Sequence, residues 1–308
     1  MSASLRDETK NAVQRHYAAL VDDYTDEYSD GFSGYPANVK RLDIILRRAQ
    51  DLGARTLLDC GCGEGSPMLR IREAGLEVRG FDFVPEMVGK AALILDGDGP
   101  AVSVWQGDIT EEAAFRPEGL SVPESYDVCM AMGVFPHIQD EVRALQNMAS
   151  VTRPGGRVLV EFRNELFALF TLNRYSYRMF VDRLLSVSEA KRRHSQHRKE
   201  LEEFESKLEA FFRLDLPPVR AGTADAPGYD AVLSQLHNPF ELHGLFEEAG
   251  LRIDQMHFYH YHALPPMFEK DYPELFRTLS LEMERDPNDW RGYFMASAFI
   301  VEAVRKAA

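Results

Sequence analysis

Three glycines and one acid near residue 60 are the first residues whose types and spacing could bind a ligand. Asp59 precedes Gly61, Gly63 and Gly65, which alternate with other residues. Glycines at a strand-to-helix turn let the backbone approach a ligand closely and adopt positive φ. Such spacing also occurs in dinucleotide folds. Asp59 separates the two possibilities, because its carboxylate would repel a pyrophosphate and suits a ligand that carries an ammonium group.

Two further acids follow later strands and indicate other parts of the same ligand. Asp82 comes after the second predicted strand, where a carboxylate can accept both hydroxyls of a ribose. Asp108 comes just past the third predicted strand, where it could reach an adenine amino group. An amine, a ribose and an adenine without phosphate describe S-adenosylmethionine.

These residues require a sheet whose strands alternate with helices. Helices are predicted over 8–30, 38–50, 66–74 and 141–151, and another is opened by Pro85. Short strands are predicted over 56–59, 77–81, 101–105, 126–132 and 157–162. Strands that alternate with helices predict an α/β fold with a mostly parallel sheet and helices on both faces.

The alternation is interrupted after residue 163, which suggests three parts. Residues 1–50 are predicted to form an N-terminal helical cap, and residues 164–235 a helical lid or substrate insertion in which 188–212 is one long charged helix. Residues 51–163 and 236–308 would form the core. The second core segment is predicted to hold a helix over 239–249, strands over 251–262 and 293–304, and a second insertion over 265–291.

Composition narrows the class of protein. The 308 residues carry a net charge of −14, which argues against broad nucleic-acid binding, since that draws its affinity from neutralising phosphates. Three cysteines are too few for a disulfide framework, so a reduced, cytoplasmic setting is expected. The first residues contain no apolar run typical of a signal peptide. No stretch reaches the roughly 18 apolar residues of a membrane span.

Five segments, in this order, resemble the motifs of class I S-adenosylmethionine-dependent methyltransferases. They are LLDCGCGEG (57–65), RGFDFVPEMV (79–88), WQGDIT (105–110), YDVCMAMGVFPHI (126–138) and TRPGGRVLVE (152–161). The resemblance covers about residues 50–162. It implies a Rossmann-like seven-stranded sheet whose last strand, here 293–304, inserts antiparallel beside 251–262.

The resemblance also implies the cofactor S-adenosyl-L-methionine, with S-adenosyl-L-homocysteine as product, and a set of residues that bind it. Asp59 would order the glycine loop near the methionine amine, and Asp82 would bind the ribose. Phe83 would pack against the adenine, which Asp108 and Ile109 would also contact. The remaining implied cofactor-binding residues are Gly61, Gly63 and Gly65 in the loop and Ala131, Met132 and Gly133 at the methionine end.

Two histidines are candidates for a catalytic base, which is needed only if the acceptor is a hydroxyl or a protonated amine. His137 follows the fourth strand, whose tip faces the reacting end of the cofactor, and the alternative is that it holds a loop. His237 stands where the first insertion rejoins the core, and the alternative is a capping turn around Asn238. The reaction itself requires no metal.

Two groups of residues could contact the substrate. Tyr17 and Tyr24 lie on the N-terminal helix, with packing as the alternative. The run HFYHYH (257–262) could be a metal pair, an acceptor contact or a packed aromatic strand. Alternation along a strand places Phe258, His260 and His262 on one face. We predict a metal-free strand whose last imidazoles, His260 and His262, border the acceptor pocket.

Together these features favour methyl transfer to a small-molecule acceptor. We expect O-methylation in natural-product or cell-surface glycan biosynthesis, no nucleic-acid partner, and a possible homodimer. Two alternatives stay open: a methyltransferase acting on a tRNA base or modified nucleoside, and a cofactor-binding partner subunit without catalytic activity.

Overall fold

The computed structural model describes residues 3–19, 28, 34–95, 104–215 and 235–306. Tyr24, predicted to contact the substrate, lies outside these residues. The described strands are β1 (Thr56–Cys60), β2 (Glu77–Asp82), β3 (Val104–Gln106), β4 (Tyr126–Ala131), β5 (Thr152–Arg163), β6 (Leu251–Tyr261) and β7 (Ala296–Arg305). They form one sheet in the order β3-β2-β1-β4-β5-β7-β6.

The direction of the strands confirms the predicted Rossmann-like architecture. Neighbouring strands from β3 through β5 are parallel. The last strand, β7, is antiparallel to both of its neighbours, β5 and β6. Because helices cover both faces, the central strands are almost continuously apolar and buried, as parallel sheets require.

Helices surround this sheet and form the insertions. They are α1 (Ala3–Ala18), α2 (Ala37–Leu52), α3 (Ser66–Glu73), α4 (Pro85–Leu95), α5 (Glu141–Val151), α6 (Arg174–Arg178), α7 (Val187–Arg193), α8 (Arg198–Glu209), α9 (His243–Glu248), α10 (Pro273–Met283) and α11 (Gly292–Met295). Local chemistry sets several ends. The Asp140 side chain accepts a hydrogen bond from the Arg143 amide and caps α5. Gly53, in the left-handed region, ends α2.

The two faces of the sheet carry separate apolar cores. On one face, Phe81, Phe162 and Phe299 pack with α5 and α9. On the other, Ile45 of α2 and Met68 of α3 pack against alternate residues of the same strands. The packing of α2 and α3 matters for the site, because both helices flank the carboxyl ends of β1 and β4.

The predicted long helix over 188–212 is wrong. The helix ends at His194, whose backbone has φ −122° and ψ 60°, and this residue lies between α7 and α8. Lys191 Nζ lies 2.5 Å from Glu205 Oε2, so the two short helices pack against each other. The break has a physical reason: α8 buries no residue, so tertiary packing does little to keep the helix continuous.

The predicted start of the last strand at Tyr293 is also wrong, because Gly292–Met295 forms the helical turn α11. The buried Asn164 side chain explains the difference. Its amide nitrogen lies 3.2 Å from the Gly292 carbonyl oxygen, 2.9 Å from that of Tyr293 and 2.8 Å from that of Ala296. One side chain thus gathers three carbonyls, which is compatible with a turn and not with an extended strand.

Candidate active site

A cavity of about 730 Å³ lies at the carboxyl ends of the parallel strands. This is the edge of an open α/β sheet where ligands bind. Most of the predicted cofactor-binding residues line it: Asp59, Gly61, Gly63, Asp82, Phe83, Asp108, Ile109, Met132 and Gly133. Two predicted residues do not. Ala131 is fully buried in the core, and Gly65 lies against α4, where an added Cβ would approach Ala91 to 3.0 Å.

The glycine loop is held open by Asp82. Its carboxylate accepts hydrogen bonds from the Gly63 and Val84 amides, each at 2.8 Å. Gly63 has φ +55°, and a Cβ built there would meet nothing within 4 Å, so the loop faces open space. Gly61 has φ +106°, and a Cβ there would collide with the Val134 side chain at 2.3 Å. The loop therefore needs glycine at Gly61 for packing and conformation.

Two buried acids in the loop carry unpaired oxygens. Asp59 Oδ1 and Glu64 Oε1 have no hydrogen-bond partner among the described residues, and both residues line the cavity. Burial raises the pKa of Asp59 to about 8, with Asp82 and Glu64 adding to the rise and Arg41 opposing it. Burial likewise raises the pKa of Glu64. An unpaired buried carboxyl is costly, so this part of the cavity favours a hydrogen-bond donor or a cation.

A buried ion pair borders the same region. Arg41 of α2 donates to Glu161 Oε2 at 2.7 Å and to the Tyr28 hydroxyl at 2.9 Å. Burial works to raise the pKa of Glu161, but Arg41 and Arg163 hold it below its ordinary value. The sequence did not single out Arg41, Glu161 or Glu64 as ligand-facing residues. The helical pattern of α2 and the strand pattern of β5 do not mark which side chain faces a ligand, and in the loop the glycines around Glu64 carried the motif.

Two side chains of helix α1 contact residues that line the cavity. Lys10 Nζ lies 2.5 Å from Asp108 Oδ2 and 6.0 Å from the centre of the Phe83 ring. Further along the helix, a hydrogen bond of 2.6 Å joins the Tyr17 hydroxyl and His137 Nε2. Burial works to raise the pKa of Asp108, but hydrogen bonds from Lys10 and Thr110 lower it. The predicted adenine contact Asp108 is thus ion-paired to a lysine that the sequence did not single out.

The two candidate bases occupy different places. His137 lines the cavity and contacts Tyr17. His237 does not line it: its ring packs against Phe162 with centroids 4.7 Å apart, and its Nε2 lies 2.7 Å from Glu141 Oε1. The His237 backbone also pairs with β5 and the residue after it. The structure therefore places the predicted base His237 outside the cavity, where its backbone fastens the returning chain to the core.

The run at 257–262 divides between core and cavity. His257 Nε2 lies 2.9 Å from Glu302 Oε2, within a buried ionic cluster. His260 has φ +57°, which breaks the alternation of the strand. As a result Tyr259 and His260 both line the cavity, while Phe258 and Tyr261 share one core cluster. The predicted two-face pattern is wrong from His260 onward.

His262 does not reach the cavity wall. It is buried, and its ring lies behind His260, with centroids 4.8 Å apart.

Among the described residues, no group of three or more histidine, cysteine, aspartate or glutamate side chains is arranged to hold a metal ion. No helix in the described part of the chain is long and apolar enough to span a membrane.

The strand order and the position of this cavity are those of the class I S-adenosylmethionine-dependent methyltransferase fold. Residues 58–160 match the family described as a methyltransferase domain. The match to a Synechocystis magnesium protoporphyrin IX methyltransferase with bound S-adenosylhomocysteine covers 96% of this chain and all of that chain, with a TM-score of 0.54 and 15% identity. That likeness shows the fold.

Two curated proteins are similar in sequence to part of this chain. The ubiquinone biosynthesis O-methyltransferase of Aeromonas salmonicida is 32% identical over 127 residues, which is 41% of this chain and 51% of that protein. The protein of the same name from Xanthomonas euvesicatoria pv. vesicatoria is 28% identical over 156 residues, which is 51% of this chain and 62% of the relative. The chain thus spans about half the length of the first of these relatives.

Proposed function

We propose that this protein transfers a methyl group from S-adenosylmethionine to a hydroxyl of a small-molecule acceptor. The observation that carries the proposal is the pair of buried, unpaired carboxyl oxygens on Asp59 and Glu64 beside an open glycine loop. A phosphate-bearing cofactor would be repelled at this point, and an ammonium group would satisfy both acids. The family match supports the same cofactor.

The residues present fit the whole cofactor. Asp59 and Glu64 suit the methionine ammonium, and the guanidinium of Arg41, which reaches to 3.9 Å from a Cβ built on Gly133, suits the methionine carboxylate. Asp82 lies at the end of β2 and would accept the ribose hydroxyls. The adenine would lie between Phe83 and Ile109, near the Lys10–Asp108 pair.

The cofactor, when bound, supplies an activated methyl group on a sulfonium. The protein then has to hold the acceptor oxygen in line with the methyl carbon at about 3 Å and keep water out. The oxygen forms the new bond to carbon, the carbon–sulfur bond breaks toward sulfur, and the hydroxyl proton must leave. His137, in the cavity wall and hydrogen-bonded to Tyr17, would take that proton.

Two findings support a small hydroxylated acceptor. The cavity, at about 730 Å³, falls in the usual range for small ligands and is enclosed by α1, α2 and the strand ends. The curated relatives are named as O-methyltransferases of ubiquinone biosynthesis. A setting in natural-product or cell-surface glycan biosynthesis stays a prediction, as do a homodimer and a cytoplasmic location.

Two measurements test the proposal directly. Calorimetry should show one S-adenosylhomocysteine bound per chain. Transfer of the labelled methyl group from S-adenosylmethionine should then be followed across a panel of phenols, alcohols and amines, with bulk tRNA as comparison. We expect label on a hydroxylated small molecule and none on tRNA. Absence of cofactor binding, or label on tRNA alone, would overturn the proposal.

Cofactor binding should depend on pH through Asp59. In the ligand-free protein its pKa is about 8, raised by burial, so the carboxyl is mostly protonated at pH 7. An ammonium ligand favours the ionised form, so binding should release close to one proton. Affinity for S-adenosylhomocysteine should therefore rise between about pH 6 and 8, by up to about tenfold per pH unit, and level off above pH 8.

Calorimetry in buffers of different ionisation enthalpy measures that proton release. Asp59→Asn should remove both the release and the pH dependence, whereas Asp43→Asn, at an exposed residue of α2, should leave them intact. Equal affinity at pH 6 and pH 8 in the wild-type protein would contradict the role of Asp59.

The described part of the lid insertion, residues 164–215, is predicted to open and close. Helix α8 buries no residue, and elements with so few buried contacts belong to the least stable part of a fold. Amides of α7 and α8 should exchange rapidly in the ligand-free protein and at least tenfold more slowly with S-adenosylhomocysteine and acceptor. Amides of the buried strand β7 serve as control. High protection of α8 in both states would contradict the prediction.

A further inference from the structure

A buried histidine beside the cavity has no use in the chemistry described above. His262 is 8% exposed, and neither of its ring nitrogens has a hydrogen-bond partner among the described residues. Its ring packs against three others: Phe167 with centroids 4.7 Å apart, His260 at 4.8 Å and Phe276 at 5.3 Å. These four rings are called the aromatic box below.

The unpaired nitrogens are unusual for this strand. His257, five residues earlier and also buried, has both ring nitrogens occupied, with Nε2 2.9 Å from Glu302 and Nδ1 3.3 Å from Asn288. A buried polar group that lacks partners costs free energy, and nearly all such groups in folded proteins are paired. An apolar side chain would pack in the box without that cost. The imidazole at His262 therefore points to a partner that a ligand provides.

The box lies one ring beyond the cavity. His260, which forms one of its walls, also lines the cavity, and its φ of +57° is a costly conformation for a residue with a side chain. Tyr35 stacks on His260 with ring centroids 5.2 Å apart and planes inclined by 20°. The Tyr35 hydroxyl donates to Glu284 Oε1 at 2.5 Å. The wall between cavity and box is thus a positioned pair of rings.

We propose that the acceptor site continues past His260 to His262 when the lid residue Phe167 moves off the His262 ring, so that a hydroxylated aromatic ring of the acceptor pairs its hydroxyl with His262. The proposal rests on the proposed methyltransferase function. The box is built from three segments that the cofactor site does not use: the lid insertion supplies Phe167, β6 and the residue after it supply the histidines, and α10 supplies Phe276.

The chemistry of the box selects a neutral hydroxyl. Burial lowers the pKa of His262 to about 4, so its imidazole is neutral at pH 7 and offers one donor and one acceptor. A hydroxyl also donates and accepts, whereas a carboxylate or phosphate would enter an apolar box without a compensating charge. The aromatic rings that surround His262 favour an aromatic carrier for that hydroxyl.

Nuclear magnetic resonance of the full chain with ¹⁵N-labelled histidine tests this without any substitution. The S-adenosylhomocysteine complex is titrated with phenol and, separately, with toluene. Phenol should shift the ring nitrogens of His262 and bind at least tenfold more tightly than toluene. Equal binding of the two probes, binding of neither, or shifts that leave His262 untouched would overturn the proposal.

Two substitutions add an independent readout. His262→Leu should raise the melting temperature and abolish the preference for phenol, with S-adenosylhomocysteine affinity unchanged. His257→Leu, the matched variant at a paired histidine, should lower the melting temperature. A lower melting temperature or a retained phenol preference in His262→Leu would overturn the inference. Loss of S-adenosylhomocysteine binding in the wild-type protein would instead overturn the proposed function, so the two failures are distinguishable.

Discussion

Replacement of Asp82 by alanine should weaken S-adenosylhomocysteine binding by about 2–4 kcal/mol, or roughly 30- to 1,000-fold in affinity, from the usual worth of hydrogen bonds to a charged group. The variant would lose the hydrogen bonds between the Asp82 carboxylate and the ribose hydroxyls. It would also remove the hydrogen bond of 2.8 Å that the Gly63 amide donates to Asp82, so the glycine loop would lose one of its ties to β2. Calorimetry with the purified variant measures the change.

Asp127 provides a matched control for that substitution. It is also an aspartate that accepts two backbone amides, those of Arg55 and Thr56, but it lies at the opposite edge of the sheet and not in the cavity. Asp127→Ala should lower thermal stability and leave the dissociation constant unchanged. If Asp82→Ala binds S-adenosylhomocysteine with wild-type affinity, the assignment of Asp82 to the ribose is wrong.

Replacement of His137 by asparagine should lower the rate of methyl transfer by about 10²- to 10⁴-fold if His137 is the base. Asparagine keeps a polar group of similar reach and removes the titrating ring. The affinity for S-adenosylhomocysteine should change little, because transfer of the proton concerns the acceptor. Single-turnover transfer to an acceptor found in the labelling assay, followed across pH, measures the effect.

Tyr17 separates a catalytic His137 from one that only holds α1 in place. The Tyr17 hydroxyl contacts His137 Nε2 at 2.6 Å, so Tyr17→Phe removes that contact and leaves the imidazole. If His137 is the base, Tyr17→Phe should retain most of the rate that His137→Asn loses. Similar losses in both variants would assign His137 to positioning α1. His237→Asn, at a partly buried histidine outside the cavity, should not change the transfer rate.

The sheet and the edge that carries the site could be predicted from the sequence because both depend on local patterns. Short apolar runs and glycine-bounded turns mark β1, β2 and β4, and β–α alternation leads to a parallel sheet. Carboxyl ends of parallel strands meet at one edge. Asp59, Asp82 and Asp108, each near a strand end, were therefore predicted to lie together, and all three line one cavity.

Side chains that come from elsewhere in the chain were not predictable in this way. Arg41 and Glu161, 120 residues apart, meet as a buried pair. Lys10 reaches Asp108 across 98 residues. Helical periodicity shows which face of α1 or α2 is apolar, but not which charged residue beside that face meets a partner. Such pairs depend on how the helices cross the strand ends, which is a property of the packed structure.

The histidines show the same division. The sequence by itself determined that His137 follows a strand tip, that His237 rejoins the core, and that His257 and His260 lie on one strand with His262 at its end. Only the tertiary structure decided that His137 faces the cavity, His237 packs behind Phe162, and His257 enters an ionic cluster. It also decided that the backbone turns at His260 and leaves His262 in the aromatic box. The reason is physical: residue type and spacing set which groups are available, whereas burial, partner and direction arise only when distant segments pack together.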